Sequence, residues 1–377
     1  MKRTPINEQV LVITGATSGI GLATARLAVR RGARVVLVSR DADALQRVAV
    51  ELNQRDPRRR VALGCAADVS VPEQLEQVVK AAEAQFGRFH SWVNNAGVAI
   101  YGRITDVPVE DQRRLFDVNV WGVVNGARAA VRHFSTRGGV IINVGSITSD
   151  MAIPLQGAYS ASKHAVKAFT NALRLEVGQA GLPIAVCLIK PSAIDTPFFD
   201  HARNYMAYDV EAPPPLYSPE VVARAILRCA VRPAREVTVG GAGRAMTLGA
   251  ALAPRLSDLY MKRMMFEAQQ GAPADDLHWG NLEAPAGPYL EAGGQSRAAM
   301  ARSAYTQAVL SDVGRAVPVV AAAAALTAAV GLWRTNRRHD RAPGDGSLRP
   351  LAYGGCRSLF TPRASSRQAS PPAVRSA

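Results

Sequence analysis

The sequence predicts a doubly wound α/β fold, in which helices cover both faces of a seven-stranded parallel sheet. Short runs of β-branched and apolar residues alternate with longer segments of helical periodicity, which is the pattern of repeated βαβ units. The strands are apolar on both faces, as expected for a buried parallel sheet. The 377 residues, 48% hydrophobic and 20% charged, exclude a wholly disordered chain.

The predicted elements follow one another in regular order. The strands are 10–14, 34–39, 61–66, 90–94, 140–145, 184–190 and 236–239. The helices between them are 20–31, 43–54, 73–86, 110–134, 157–178 and 219–230. We therefore expect one doubly wound domain at residues 1–240.

The chain beyond residue 240 has a different composition. Residues 241–270 are helix-compatible and Met-rich, and 271–315 are predicted to be a linker with room for a short helix, because 271–294 are crowded with Gly, Pro and Ala. The 18 residues 316–333 carry no charge and are followed by Arg334, Arg337 and Arg338. A helix of that length reaches about 27 Å, close to a bilayer core of about 30 Å. It predicts an anchor on the cytoplasmic side of a membrane; an apolar helix packed on its own domain or on a partner is the alternative.

The charge is concentrated at the C-terminus. The chain carries +15, and residues 334–377, with nine Arg and two Asp, form a basic tail expected to be disordered. The positive net charge favours anionic partners. The tail has no nucleic-acid recognition motif with interleaved aromatic residues, so we do not expect it to bind nucleic acid. The four Cys and six His do not cluster, so we predict neither disulfides nor a metal. The N-terminus lacks a signal-peptide core, which favours a cytoplasmic location.

A glycine-rich loop follows the first strand and opens the first helix. Glycines allow a sharp turn and bring bare backbone to a pyrophosphate, while the free N–H groups of the helix start face its charge. The order strand, loop, helix favours dinucleotide binding in a Rossmann-type fold over a merely tight turn. The candidate residues are Gly15, Thr17, Ser18, Gly19, Ile20 and Gly21.

The end of the second strand selects the dinucleotide. An acidic residue there would hold a ribose 2′-hydroxyl and repel a 2′-phosphate. This chain has Ser39 and Arg40, a hydroxyl beside a guanidinium, so we predict NADP(H) rather than NAD(H). Two features argue against a 2′-phosphate site: Asp41 follows directly, and the glycine loop has no basic residue for a second phosphate contact. The alternative is that Arg40 is a solvent-exposed surface residue.

Three residues form a candidate catalytic group. Tyr159 and Lys163 stand four apart on a predicted helix and so share one face, and Ser146 closes the fifth strand. A tyrosine with a pKa of about 10 is a poor base at neutral pH, but a neighbouring ammonium is expected to lower that pKa by stabilising the phenolate. Tyr159 can then exchange a proton with a substrate whose oxygen Ser146 binds.

Together these motifs resemble the short-chain dehydrogenase/reductase family, in its compact ketoreductase-like branch, over about residues 9–240. The motifs are the glycine loop, the run Asn94, Asn95, Ala96, Gly97, and Asn119, Ser146 and the Tyr-Ser-Ala-Ser-Lys run 159–163. The resemblance implies a catalytic tetrad of Asn119, Ser146, Tyr159 and Lys163. Within it, Lys163 also holds the nicotinamide ribose and Asn119 helps to hold a water in a proton relay.

The resemblance implies further cofactor contacts and an assembly. The contacts are Asp68 and Val69 at the adenine, Asn95, Ala96 and Gly97 along the dinucleotide, and Pro191, Ile194 and Thr196 after the sixth strand. Asp68 is equally credible as a helix cap near Pro72. Ser192 stands where the family usually has glycine, and its side chain is expected to crowd the bend. A homodimer or homotetramer, paired through helices 110–134 and 157–178, is implied.

We therefore expect an NADP(H)-dependent oxidoreductase that interconverts a hydroxyl and a carbonyl on a hydrophobic small molecule. Residues 198–208, which include Phe198 and Phe199, predict an apolar lid, with core packing as the alternative. A nucleotide-bound, non-catalytic sensor or scaffold is the competing function. An epimerase or dehydratase is a third, which the spacing of the glycine loop disfavours.

Overall fold

The computed structural model describes residues 4–274, 279–287, 289–293 and 298–311, and the predicted seven-stranded parallel sheet is confirmed in them. The strand order is β3-β2-β1-β4-β5-β6-β7, and every neighbouring pair is parallel. The chain thus winds outward from β1 in both directions, and the crevice between β1 and β4 is the position where such sheets bind ligands. The strands are β1 (Val10–Thr14), β2 (Arg34–Ser39), β3 (Ala62–Ala66), β4 (Ser91–Asn94), β5 (Gly139–Val144), β6 (Ile184–Pro191) and β7 (Glu236–Val239).

Helices cover both faces of the sheet. Along β1 the side chains alternate: Leu11 and Ile13 pack in one apolar core with α1, α2 and α7, and Val10 and Val12 pack in a second core with α3 and α5. This alternation is why the strands are apolar throughout. The helices are α1 (Gly19–Arg30), α2 (Ala42–Asn53), α3 (Pro72–Phe86), α4 (Val109–Phe116), α5 (Gly122–Arg137), α6 (Gly157–Gln179), α7 (Pro219–Val231), α8 (Gly241–Leu252), α9 (Pro254–Tyr260) and α10 (Ala304–Leu310).

The helix predicted at 110–134 is not continuous. It consists of α4, a π-helical turn (Asp117–Trp121) and α5. Hydrophobic periodicity does not reveal such a turn, because the helix continues on both sides of it. Single π turns often occur at functional sites, and this one contains Asn119.

Residues 241–274, which follow β7, form α8, α9 and several shorter elements. After α8 and α9 come a π turn (Met261–Met265) and a short 3-10 helix (Glu267–Gln269). The strand Gln270–Pro273, at the boundary between the expected helical extension and the expected linker, pairs antiparallel with Tyr208–Val210. In the described part of the chain no helix is both long and apolar enough to cross a bilayer. The predicted anchor 316–333 and the basic tail 334–377 lie outside the described residues.

Candidate active site

A single continuous cleft along the carboxyl ends of the strands brings the predicted site residues together. All of them line it except Gly21 and Asn119, which lie directly behind its wall. The predicted adenine and 2′-phosphate residues stand at one end, and Ser146, Tyr159 and Lys163 stand at the other. Residues that the sequence placed in separate motifs therefore share one cavity.

The glycine loop is shaped by close backbone packing. Gly15 has φ +65°, and a Cβ there would lie 2.9 Å from the Cα of Ala96. A Cβ on Gly21 would lie 1.9 Å from the carbonyl oxygen of Gly15, so only glycine lets α1 start this close to the loop. The N–H of Gly19, in the first turn of α1, already donates 2.8 Å to an oxygen, the carbonyl of Leu290. This cradle fits a dinucleotide phosphate, because exposed helix N–H groups bind anionic oxygens.

The loop after β4 is bonded to the glycine loop. The side-chain amide of Asn95 donates to the carbonyl oxygens of Thr14 (3.0 Å) and Gly15 (3.2 Å). In return, the Thr14 hydroxyl oxygen accepts the N–H groups of Asn95 and Ala96, both at 3.0 Å. These bonds hold Ala96 and Gly97 against the cleft.

Tyr159 is buried at the inner end of the cleft. Ser146 is the polar neighbour of its hydroxyl, and the Tyr159 ring lies 5.5 Å from the ring of Phe198. Burial raises the pKa of Tyr159, and the interaction with the Ser146 hydroxyl opposes the rise only in part. The expected lowering of this pKa is therefore not found: the cost of burying a phenolate is the larger effect, and Tyr159 is a protonated phenol at neutral pH.

Lys163 lies on the same face of α6, as its spacing predicts. Its Nζ is 5.5 Å from the centre of the Tyr159 ring and donates 3.1 Å to the carbonyl oxygen of Val144. Burial lowers the pKa of Lys163 to about 8. The ammonium form is thus retained at neutral pH, close to the phenol.

Asn119 positions its neighbours from inside the π turn. Its side-chain oxygen accepts the N–H of Val98 at 2.9 Å, and its amide donates to the carbonyl of Val98 at 3.0 Å and to the hydroxyl of Ser162 at 3.1 Å. The side chain is completely buried. Asn119 therefore joins the loop after β4 to α6, one residue before Lys163.

The end of the cleft where adenosine binding is predicted contains Ser39, Arg40, Asp68 and Val69. Asp68 is not the cap of α3, whose N-cap is Val71; its carboxylate instead accepts the N–H and hydroxyl of Ser70 and the guanidinium of Arg114 at 2.7 Å. Although burial acts to raise the pKa of Asp68, these bonds outweigh it and lower that pKa. The carboxylate is thus charged beside the cleft.

The end of β6 reaches the cleft through Pro191, and the segment that follows reaches it through Ile194 and Thr196. The Ser192 hydroxyl donates 2.7 Å to the carbonyl oxygen of Val239 in β7, so this bond accommodates the side chain that replaces the usual glycine. Of the expected lid, Phe198 and Phe199 line the cleft. The Tyr205 hydroxyl instead donates 2.5 Å to Asp111, which places it in a polar cluster away from the cleft.

Several lining residues carried no signal in the sequence. The hydroxyls of Tyr101 and Thr148 are buried and have no hydrogen-bond partner within the described ranges. A second group comes from the segment expected to be a linker: Asn281, Pro285, Ala286 and Tyr289. Isolated residues in coil of this composition match no motif, and only the fold brings them to the cleft.

The chain is similar to known proteins along most of its length. Residues 9–206 match the family described as short chain dehydrogenase. The uncharacterized oxidoreductase YxnA of Bacillus subtilis is 38% identical over 342 residues, which cover 90% of this chain and 93% of that protein. The 11-beta-hydroxysteroid dehydrogenase A of Sesamum indicum is 32% identical over 275 residues, 70% of this chain and 77% of that protein.

Solved structures are similar as well. An alcohol dehydrogenase from the archaeon Thermococcus sibiricus, complexed with 5-hydroxy-NADP, is 26% identical, with a TM-score of 0.53 over 61% of this chain and 95% of that one. Since the family match spans more than half of the chain and YxnA aligns with nine tenths of it, the chain belongs to the short-chain dehydrogenase family of oxidoreductases.

Proposed function

We propose that the protein is an NADP(H)-dependent oxidoreductase that interconverts a hydroxyl and a carbonyl group on a hydrophobic small molecule. The observation that carries the proposal is that Ser146, Tyr159 and Lys163 line the same cleft as the glycine loop, with the Lys163 Nζ 5.5 Å from the centre of the Tyr159 ring. The nicotinamide supplies or accepts the hydride when it is bound. The residues of the chain then have to bind the substrate oxygen and move one proton.

The raised pKa of Tyr159 suits the reductive direction. A protonated phenol can donate its proton to a carbonyl oxygen as negative charge develops there, while the Ser146 hydroxyl hydrogen-bonds the same oxygen. The phenolate left behind is stabilised by the Lys163 ammonium. Asn119 acts indirectly, by fixing α6 through Ser162.

Two features support the cofactor and the substrate class. Ser39 and Arg40 at the end of β2 favour a 2′-phosphate, and the Thermococcus sibiricus neighbour is complexed with 5-hydroxy-NADP. Around Tyr159 the cleft is lined by apolar side chains, which favour a hydrophobic alcohol or ketone, and the Sesamum indicum relative is named for a hydroxysteroid. The wall contributes Ile147, Ile153, Phe198 and Phe199.

The test is turnover of a panel of hydrophobic ketones and alcohols with NADPH or NADP⁺. Tyr159→Phe should lower kcat by about 10²–10⁴, the usual value of general acid–base catalysis, with NADPH binding unchanged. Tyr260→Phe, at an exposed tyrosine of α9 that does not line the cleft, is the matched control and should leave kcat unchanged. A rate unchanged in Tyr159→Phe would contradict proton transfer by Tyr159, and NADPH binding without turnover of any compound in the panel would instead favour the non-catalytic sensor or scaffold.

We also propose that residues 316–333 attach the protein to the cytoplasmic side of a membrane. The proposal rests on the uncharged run and on the arginines that follow it. The full chain should sediment with vesicles of anionic lipid, and a chain that ends at Ser311 should stay in the supernatant. Equal partition of the two chains would contradict an anchor.

A further inference from the structure

Residues 279–287 and 289–293 lie along the cleft, and we call these two stretches the strap. Asn281, Pro285, Ala286 and Tyr289 of the strap form part of the cleft wall. The matched family region ends at residue 206, so the strap belongs to the additional C-terminal part of the chain.

The first part of the strap is firmly fixed. The carbonyl of Trp279 accepts 3.1 Å from Arg203, whose guanidinium also covers the Trp279 ring, and the N–H of Asn281 donates 2.9 Å to the carbonyl of His201. Gly280 has φ +58°, and a Cβ there would lie 2.5 Å from the His201 carbonyl oxygen. The Leu282 side chain is completely buried. This part is therefore built into the domain.

Arg40 belongs to the same fixed part. Its guanidinium donates to three successive strap carbonyls, those of Asn281 (2.5 Å), Leu282 (3.2 Å) and Glu283 (3.0 Å). Such a fork of donors on backbone oxygens fixes the orientation of the side chain. The strap thus holds the residue that we propose for 2′-phosphate recognition.

The second part, 289–293, is held by separate contacts, which are polar except at Gly293, whose backbone packs so closely on Thr196 that a Cβ there would lie 2.6 Å from the Thr196 carbonyl oxygen. The Leu290 carbonyl accepts the N–H of Gly19, the Tyr289 hydroxyl donates to Asp41, and Glu291 pairs with Arg26 at 2.9 Å. The Leu290 side chain is 54% exposed. Polar contacts of this kind are individually weak and can exchange with other partners.

We propose that residues 289–293 are a movable wall of the dinucleotide cleft. The Leu290 carbonyl oxygen accepts the hydrogen bond of the Gly19 N–H until an oxygen of a dinucleotide phosphate replaces it as the acceptor. This inference rests on the proposed function. A phosphate oxygen carries charge and forms a stronger bond with a helix-start N–H than a neutral carbonyl does, so the exchange favours the bound ligand. Because 279–283 stay fixed, the dinucleotide enters and leaves only when 289–293 move.

The experiment measures the association and dissociation rate constants of NADPH by stopped-flow fluorescence on the full chain. Glu291→Gln removes the ion pair with Arg26 without touching the cleft wall, so it changes the mobility of the strap and not a ligand contact. It should raise both rate constants, each by about two- to fivefold, which is the change expected from the loss of one partly exposed ion pair. Tyr289→Phe removes the bond to Asp41 and should also raise both.

Glu76→Gln is the matched control, because Glu76 pairs with Arg132 at 2.8 Å on the surface between α3 and α5. It should change neither rate constant. NADPH that binds Glu291→Gln at unchanged rates, or with only a faster dissociation, would overturn the movable wall, since a static contact affects dissociation alone. If neither NADPH nor NADH binds the unaltered chain, the proposed function itself is overturned, which is a different result.

Discussion

The guanidinium of Arg40 donates a 2.5 Å hydrogen bond to the carbonyl oxygen of Asn281, 241 residues away along the chain. Arg40, the residue directly after β2, is therefore not a free surface arginine, which was the alternative to a 2′-phosphate contact. It is oriented by backbone oxygens and still lines the cleft. A fixed cation costs less to order around a ligand than a mobile one.

Arg40→Gln should therefore weaken NADP(H) selectively. Loss of a hydrogen bond to a charged group is worth about 1.5–3 kcal/mol, so kcat/KM for NADP⁺ should fall at least about tenfold, with little change for NAD⁺. Arg47→Gln, which removes a charge from the arginine beside the Tyr289 ring, is the control and should keep the preference. An equal loss for both cofactors would mean that Arg40 acts only by holding the strap.

The reductive reaction should lose activity above neutral pH. Lys163 has a pKa of about 8 in the folded chain, so its ammonium is lost as the pH rises through that value, and the phenolate of Tyr159 loses its stabilising charge. The kcat/KM for a ketone should be constant at neutral pH and fall through about pH 8. In Lys163→Arg the side chain stays positively charged, so the remaining kcat/KM should not decrease in this pH range. If kcat/KM of the variant decreases at the same pH, the titrating group is not Lys163.

The sheet and most of the cleft could be predicted from sequence because their signals are local. The glycines, the Tyr159–Lys163 spacing and the apolar strands each reflect a constraint within a few residues. The strap has no local sequence pattern of this kind. Arg40 donates hydrogen bonds to its backbone carbonyl oxygens, and because every residue has a carbonyl, the sequence does not indicate this contact. The direction of the Tyr159 pKa likewise depends on burial, which spacing does not reveal.

Asn119 should contribute to stability as well as to activity. Asn119→Ala leaves the buried N–H and carbonyl of Val98 without their side-chain partner, and a buried polar group left unpaired costs about 1–3 kcal/mol. The free energy of unfolding in denaturant should fall by that amount. Asn125→Ala is the control. It removes a side-chain amide on α5 that donates to the carbonyl oxygens of Val69 and Ser70, and it should lower the free energy of unfolding without altering the pH profile of the reaction.

Acid should destabilise the fold through His90. Burial, reinforced by the nearby Arg88 and Arg34, lowers the pKa of His90 from 6.5 to about 4, and its Nδ1 accepts the N–H of Val10 at 3.0 Å. Between these two pH values the unfolded chain binds a proton that the folded chain does not, so stability falls as the pH drops from 6.5 to about 4. His90→Asn keeps an acceptor for Val10 but does not titrate, so its free energy of unfolding should depend less steeply on pH in this window. Identical slopes for the two proteins would exclude His90 as the source.

The helices that the family resemblance assigns to subunit pairing each expose a large apolar side chain. Trp121, at the end of the π turn directly before α5, is 56% exposed and Leu175, on α6, is 70% exposed, which supports an interface on these faces. Leu175→Asp would place a charge in that interface and should lower the molar mass measured by light scattering toward that of one chain. Leu252→Asp is the matched control, because Leu252 is 83% exposed but lies on α8, outside the assigned faces. A mass unchanged by Leu175→Asp but reduced by Leu252→Asp would move the interface to α8.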